Sequence, residues 1–254
     1  MADFDNRIVR GATTVADTMD AGLRAHMLRV YNYMLAGLGL TGAVAWVTTN
    51  TAFGQLFFNH VLTPNGATVL QPNILGWVAF LAPLGITLLL SFRYMKMSFG
   101  AVQGAYWGIV ALMGVQLALI VSIYTGASVA TTFFVAAAMF GGMSLFGYTT
   151  GRDLTAMGSF LIMGVWGLMI AMLVTAFFPS TNSPAVSFAI NALGVVIFTG
   201  LTAYDTQKIK QLYYYNNGGD TATIGKAAVM SAFTLYLDFY NMFLFLLRLM
   251  GNRR

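Results

Sequence analysis

Two aspartates stand in or beside stretches of the sequence that are apolar enough to cross a membrane. Asp238 lies near the middle of Ala227–Met250, and Asp205 lies at the end of the preceding apolar run. A carboxylate near the centre of a bilayer costs roughly 2.5–3.5 kcal/mol on insertion scales, so Asp238 should face a partner or a water-filled cavity. Two carboxylates that share a poorly hydrated site cannot both ionise cheaply, and such a pair is expected to act as a pH-sensitive latch.

Polar residues follow one face of each helix that would carry these aspartates. On the seventh predicted helix an arc of about 100° holds the polar residues Ser231, Thr234, Asp238, Asn241 and Arg248. On the sixth an arc of about 120° holds Ser187, Asn191, Thr199, Thr202 and Asp205. Both faces should point into the bundle. The sequence therefore predicts a polar stripe that includes Thr202, Thr234 and Asn241, and the two aspartates can meet only if helix six sits deep enough in the membrane.

Arg93, at the end of the second apolar run, is a candidate counter-charge for the two aspartates. Its guanidinium would favour the ionised carboxylates, but the same residue could instead snorkel to lipid phosphates. Asp238 could equally make a structural hydrogen bond between helices, and Asp205 could be a solvated carboxylate at a helix end. These alternatives remain open at the level of the sequence.

Composition defines the elements that must position these residues. The chain has 254 residues, of which 58% are hydrophobic and 8% charged, and its mean hydropathy is +0.72. These values are typical of an all-α polytopic membrane protein. Since about 20 apolar residues cross the ~30 Å of hydrocarbon, the sequence predicts seven transmembrane helices, at roughly 29–50, 74–92, 101–124, 130–148, 157–178, 186–205 and 227–249.

The basic residues predict how the helices are oriented. They occupy alternate gaps: Arg7, Arg10, Arg24 and Arg29 before the first helix, Arg93 and Lys96 after the second, Arg152 after the fourth, and Lys208, Lys210 and Lys226 after the sixth. This is the positive-inside pattern for a cytoplasmic N-terminus. We expect a cytoplasmic segment over 1–28, a membrane domain over 29–250 and a tail over 251–254. Seven spans would place the tail outside despite Arg253 and Arg254, unless one run is re-entrant.

Several classes of function are disfavoured by what the sequence lacks. There is no Glu and no Cys, and the histidines are His26 and His60, so we expect no cofactor and no dedicated zinc, thiolate or iron–sulfur site. The excess of basic residues is explained by membrane topology, so we expect no nucleic-acid partner. Asp238 lacks the preceding Gly-x-Gly of an intramembrane aspartyl protease, and we expect no enzyme. The first 28 residues have no apolar core of a signal peptide, and nothing is expected to be cleaved.

Three local patterns make further predictions. Gly100, Gly104 and Gly108 form a ridge of small residues that predicts close helix packing. The run Ala52–His60 is too short to span and is expected to extend the first helix along the membrane interface. Gln211–Gly225 is expected to form a long loop between helices six and seven.

Two motifs together resemble the transmembrane BAX inhibitor motif family, the Bax inhibitor-1 relatives. They are Tyr204-Asp205-Thr206-Gln207 followed by Lys208-Ile209-Lys210, and Leu235-Tyr236-Leu237-Asp238-Phe239-Tyr240-Asn241 followed by Leu246-Leu247-Arg248. Pro83-Leu84-Gly85 and Phe146-Gly147-Tyr148 fit the bacterial branch, so the resemblance covers about residues 20–254. It implies a bundle around a central C-terminal helix, Asp205 and Asp238 as a pH sensor, and a proton-sensitive calcium leak in a bacterial inner membrane. The family's arginine partner is matched best by Arg93.

Two functions of different classes follow as hypotheses. The first is a passive, pH-gated calcium leak in which protonation loosens helix seven, with Asp205 and Asp238 as candidate Ca2+ contacts and calcium as the permeant ion. Two carboxylates are few ligands for an ion that takes six to eight oxygens, so calcium selectivity does not follow from the residues themselves. The second is a non-channel regulator that binds other membrane proteins, such as a quality-control protease.

Overall fold

The computed structural model describes residues 2–62, 68–181, 183–215 and 221–253, with side chains from residue 21 onward except those of 68, 69 and 221. Seven helices in this part of the chain are long and apolar enough to cross a membrane. The elements in chain order are α1 (Ala2–Asn50), β1 (Phe58–Leu62), β2 (Thr68–Pro72), α2 (Ile74–Arg93), α3 (Phe99–Ile123), α4 (Gly126–Thr149), α5 (Thr155–Phe177), α6 (Pro184–Tyr215) and α7 (Thr221–Met250). The prediction of an all-α polytopic protein with seven transmembrane helices is confirmed.

Short polar side chains mark the starts of three of these helices. Asn73 accepts a hydrogen bond from Gly76 N at 3.0 Å before α2, Ser98 accepts one from Ala101 N at 3.3 Å before α3, and Thr125 does the same before α4. Each cap satisfies a backbone N–H that the helix itself leaves free. α6 opens instead on Pro184, whose missing N–H costs nothing at a first helical position.

α7 is the central helix of the bundle. It packs against α6, α1, α4 and α3, whereas α5 packs on α6 and α2 packs on α3. The most apolar window of α7 is 72% buried within the protein, and the highest value among the other six spans is 39%. Tyr236, Met242 and Leu247 on α7 have no exposed surface. The predicted bundle around the C-terminal helix is therefore confirmed.

α6 and α1 are longer than the predicted spans. The prediction of a loop over Gln211–Gly225 is wrong at both of its ends, because α6 continues to Tyr215 and α7 begins at Thr221, and 216–220 lie outside the described residues. Charged residues such as Lys208 and Lys210 end the apolar run but do not interrupt the helix. Hydropathy therefore predicts where a helix leaves the hydrocarbon and not where the helix ends. α1 likewise runs through residue 28 as one continuous helix.

The segment after α1 is helical only over a single turn. Ala52–Leu56 forms a 3₁₀ helix, and Phe58–Leu62 then pairs antiparallel with Thr68–Pro72, with His60 opposite Leu70. The predicted helical extension over Ala52–His60 is thus wrong for its second half. Alternating aromatic, polar and β-branched side chains in Phe58–Leu62 favour a strand once a partner strand is near.

The predicted close packing along Gly100, Gly104 and Gly108 is also wrong. A Cβ atom added at any of these positions would meet no described atom within 4 Å. The tight helix contacts lie elsewhere, at Gly147, where α4 meets the backbone of α6, and at Gly194, where α6 meets the ring of Phe245 on α7. α6 is therefore held closely against both α4 and α7.

Candidate functional site

Asp238 lies on the central helix and is surrounded by protein. Its side chain is 4% exposed, between the buried rings of Tyr236 and Phe239 in sequence. Its Oδ2 atom accepts no hydrogen bond from any described donor. A buried carboxylate oxygen without a donor is costly, so this position requires either a proton or a cation.

Asp205 on α6 is the group that faces Asp238. The two carboxyl groups lie within hydrogen-bonding reach of each other, and Asp205 is partly buried. The close packing of α6 on α7 brings them together. The helix α6 continues for ten residues, about 15 Å, beyond Asp205. We call Asp205 and Asp238 the aspartate pair. Asp205 thus lies within α6 and not at the end of a helix, as the sequence had suggested.

Lys208 is a cation that acts on Asp205, one member of the aspartate pair. It stands three residues after Asp205 on α6, close enough to act on that carboxyl electrostatically, and its ammonium lies 5.7 Å from the Tyr204 ring centre. Sequence reasoning missed this residue, although the i, i+3 spacing of acid and base on one helix was a usable signal. Arg93 is exposed in the last turn of α2, and no hydrogen bond or ion pair joins it to Asp205 or Asp238 within the described residues.

The predicted polar stripe satisfies itself along its own helices. Thr202 donates to Phe198 O at 2.8 Å, Thr234 donates to Met230 O at 3.2 Å, and Asn241 donates to Leu237 O at 2.9 Å. Each of these bonds reaches back four residues on the same helix, as Ser and Thr commonly do in helices. Thr199, on the same face of α6, instead donates to Met242 Sδ on α7 at 3.3 Å, so the stripe also joins the two helices.

A chain of hydroxyl groups ties α1, α4 and α6 together next to the aspartate pair. The Tyr31 hydroxyl lies 2.6 Å from Ser144 Oγ, which lies 3.1 Å from Thr206 Oγ1. Thr206 follows Asp205 directly and donates to Thr202 O. Hydrogen bonds between membrane helices of this kind are each worth about 0.6–1.7 kcal/mol. They hold the part of α6 that carries Asp205 in position.

Aromatic residues form a layer on α7 on both sides of Asp238. The rings of Tyr236 and Tyr240 stack at 5.9 Å, and both side chains are buried. Thr41 on α1 lies 2.8 Å from the Tyr236 hydroxyl and donates to Val110 O, while Tyr240 donates to Met113 O. These hydrogen bonds hold the aromatic layer of α7 against α1 and α3.

The described part of the chain offers no cluster of three or more His or Asp side chains that could hold a metal ion. The aspartate pair brings two carboxyl groups, whereas Ca2+ takes six to eight oxygen ligands. The arrangement can hold a shared proton or contact a largely hydrated cation.

Comparison with known proteins identifies the family of the chain. The family model for "Inhibitor of apoptosis-promoting Bax1" matches residues 23–254. The chain belongs to the Bax inhibitor-1 family. This match includes both aspartates, α2 to α7 in full and α1 from residue 23 onward, and the predicted family is thereby confirmed.

Bacterial members of the Bax inhibitor-1 family are similar along almost the whole chain. A protein of Rickettsia prowazekii is 44% identical over 254 residues and one of Caulobacter vibrioides is 44% identical over 257 residues, and both alignments cover 100% of each chain. The inner membrane protein YbhL of Escherichia coli is 42% identical over 236 residues, which cover 92% of this chain and 94% of the relative. This Bax inhibitor-1 family chain is an integral membrane protein.

Proposed function

We propose that this protein is a passive, proton-regulated cation leak that carries calcium across a bacterial inner membrane, with the aspartate pair as its gate. The observation that supports this most directly is the buried contact between Asp205 and Asp238 at the centre of the bundle. No chemical step and no cofactor is needed for this activity, because the gate binds protons and the ion moves down its own gradient.

The charge of the pair decides how tightly α6 is held against α7. Two ionised carboxylates in a poorly hydrated site repel each other strongly. One shared proton turns this repulsion into a charge-assisted hydrogen bond and supplies the donor that Asp238 Oδ2 otherwise lacks. We assign the closed form to this singly protonated pair.

Acidification opens the gate in this proposal. A second proton makes both groups neutral, so the hydrogen bond loses its charge-assisted part and Asp205 loses its attraction to Lys208. α7 is then held less firmly and the aromatic layer around Tyr236 can separate. A calcium ion that meets only two carboxyl groups keeps much of its water and leaves readily, as a passive leak requires.

Calcium flux into liposomes at several pH values tests the gate. We expect purified wild-type protein to conduct more as the pH falls, and Asp238→Asn to lose this dependence, because an amide donates to Asp205 at every pH. The matched control is Asp153→Asn, since Asp153 is an exposed loop carboxylate. A wild-type flux that does not respond to pH, or an Asp238→Asn profile identical to the wild type, would refute the gate.

The same preparation separates the leak from a regulatory role. Absence of flux from purified protein, together with a stable membrane protein such as a protease that co-purifies with it, would assign the protein to the regulators instead.

The proposed orientation, with a cytoplasmic N-terminus, has its own test because the chain has no Cys. A cysteine introduced at Gly151, in the α4–α5 loop, should resist membrane-impermeant thiol reagents added to intact cells; ready labelling there would contradict the orientation.

A further inference from the structure

A lateral cleft of about 630 Å³ separates α1 from α4 on the surface of the bundle. The side chains of Leu28 and Leu35 line it from α1, those of Leu145 and Ala137 from α4, and Phe239 of α7 contributes to its floor. Leu28, Leu35 and Leu145 are each more than half exposed. The cleft lies between two membrane-spanning helices, so it is open to the hydrocarbon of the bilayer.

The shape and lining of the cleft fit a hydrocarbon chain. Its volume is within the range of about 300–1,000 Å³ that is usual for small-molecule sites. Along α1 it extends from Arg24 to Leu38, about 21 Å at the rise of an α-helix, which is more than half of the ~30 Å hydrocarbon thickness. The hydroxyls of Tyr31 and Ser144 in its wall bond to each other and leave the lining apolar.

Positive charge stands at one end of the cleft. Arg24 is exposed there and carries the only formal charge among the described lining residues. Tyr148 lines the same region from α4, and behind it Lys210 donates to Tyr148 O at 3.1 Å with its ammonium 5.2 Å from the ring centre. A guanidinium can bind two phosphate oxygens at once, and basic pockets between membrane helices favour anionic headgroups.

We propose that this cleft binds one anionic phospholipid, with an acyl chain along α1 and α4 and its phosphate on Arg24. The charge at the mouth and the apolar length behind it complement the two parts of such a lipid. The bound chain would lie against Phe239, the neighbour of Asp238 on α7. Binding itself is independent of the proposed leak, because it is measured on the protein without any flux.

Native mass spectrometry tests the site. The full-length protein is released from nanodiscs of phosphatidylglycerol and phosphatidylcholine that have identical acyl chains. We expect one phosphatidylglycerol to be retained by the wild type, and Arg24→Gln to reduce the preference for it about fivefold, the effect of one basic residue near a lipid phosphate. Arg29→Gln is the matched control, because Arg29 is exposed on the same helix and does not line the cleft.

A second pair of variants tests the acyl-chain part of the cleft. Gly141 lines it and Gly142 does not, and a Cβ atom at either position meets no described atom within 4 Å. We expect Gly141→Trp to abolish retention of the lipid and Gly142→Trp to retain it, with both proteins eluting as the wild type in size-exclusion chromatography. Retention by Gly141→Trp equal to that of Gly142→Trp, or an unchanged lipid preference in Arg24→Gln, would overturn the proposal.

Discussion

Replacement of Gly147 by alanine should destabilise the protein through a contact that no side chain can relieve. An added Cβ atom would lie 2.8 Å from both the carbonyl carbon and Cα of Ala203, and nearer still to its oxygen. Ordinary carbon–carbon contact is about 3.5–4.0 Å, so α4 and α6 would have to separate by on the order of 1 Å. Ser144, three residues earlier, would then lose its hydrogen bond to Thr206 on α6.

The size of the effect follows from these two changes. Overpacking costs typically 1–3 kcal/mol and the lost hydrogen bond about 1 kcal/mol, while alanine returns about 0.5–1 kcal/mol of helix propensity. We expect Gly147→Ala to lose roughly 2–3 kcal/mol, which lowers the Tm by about 4–12 °C for a chain of this size. α6 carries Asp205 two residues after Ala203, so the same variant should also weaken the pH response of the calcium flux.

Thermal unfolding of the detergent-solubilised protein, followed by circular dichroism, measures this difference. Gly142→Ala on the same helix is the matched control, because its Cβ atom would enter open space. This control should be as stable as the wild type or slightly more stable, since alanine favours the helix. If Gly147→Ala unfolds at the same temperature as Gly142→Ala, the close approach of α4 and α6 is not as described.

Two further substitutions test contacts away from the aspartate pair. Thr41→Val keeps the side-chain shape but removes the oxygen beside the buried Tyr236 hydroxyl and the side-chain hydrogen bond to Val110 O, and should cost about 1–2 kcal/mol in thermal unfolding. Asp153 accepts hydrogen bonds from the Thr155 hydroxyl and N–H, which lower the pKa of its carboxyl below the ordinary value. The hydrogen bonds of the ionised Asp153 carboxylate stabilise the fold at pH values above the ordinary pKa of the group. This stabilisation is lost as the pH falls through the lowered pKa. The Tm difference between wild type and Asp153→Ala should therefore vanish in strong acid.

Thr131 is exposed on α4, so Thr131→Val should leave the Tm unchanged, and an equal loss in Thr131→Val and Thr41→Val would contradict the buried hydrogen bonds. For Asp153→Ala, a Tm difference that persists unchanged into strong acid would show that the carboxylate charge has no part in the start of α5.

The membrane spans could be predicted closely because lipid itself determines their length and polarity. The runs predicted at 74–92 and 101–124 correspond to α2 (Ile74–Arg93) and α3 (Phe99–Ile123) within two residues at each end. The extension of α6 to Tyr215 could not be predicted in the same way. Outside the hydrocarbon a helix no longer needs apolar residues, so hydropathy does not indicate whether the backbone is helical there.

Asp238 could be found from the sequence, but its surroundings could not. A charge inside an apolar run must have a partner, and this physical demand made Asp205 a candidate partner without establishing a contact between them. The counter-charge depends on which helices pack together. Arg93 on α2 lies on a helix that packs against α3 and not against the pair, whereas Lys208 shares α6 with Asp205.

The sequence by itself thus determined the class of protein, its seven spans and the need of Asp238 for a polar partner, because burying a charge and spanning a bilayer have costs that do not depend on the fold. Tertiary structure alone decided which glycines matter and where the bundle stays open. Gly100 and Gly147 are equally small, but only Gly147 has another backbone against it. The cleft between α1 and α4 likewise exists because of where α7 holds those two helices, and helix packing of this kind depends on long-range contacts that no local pattern records.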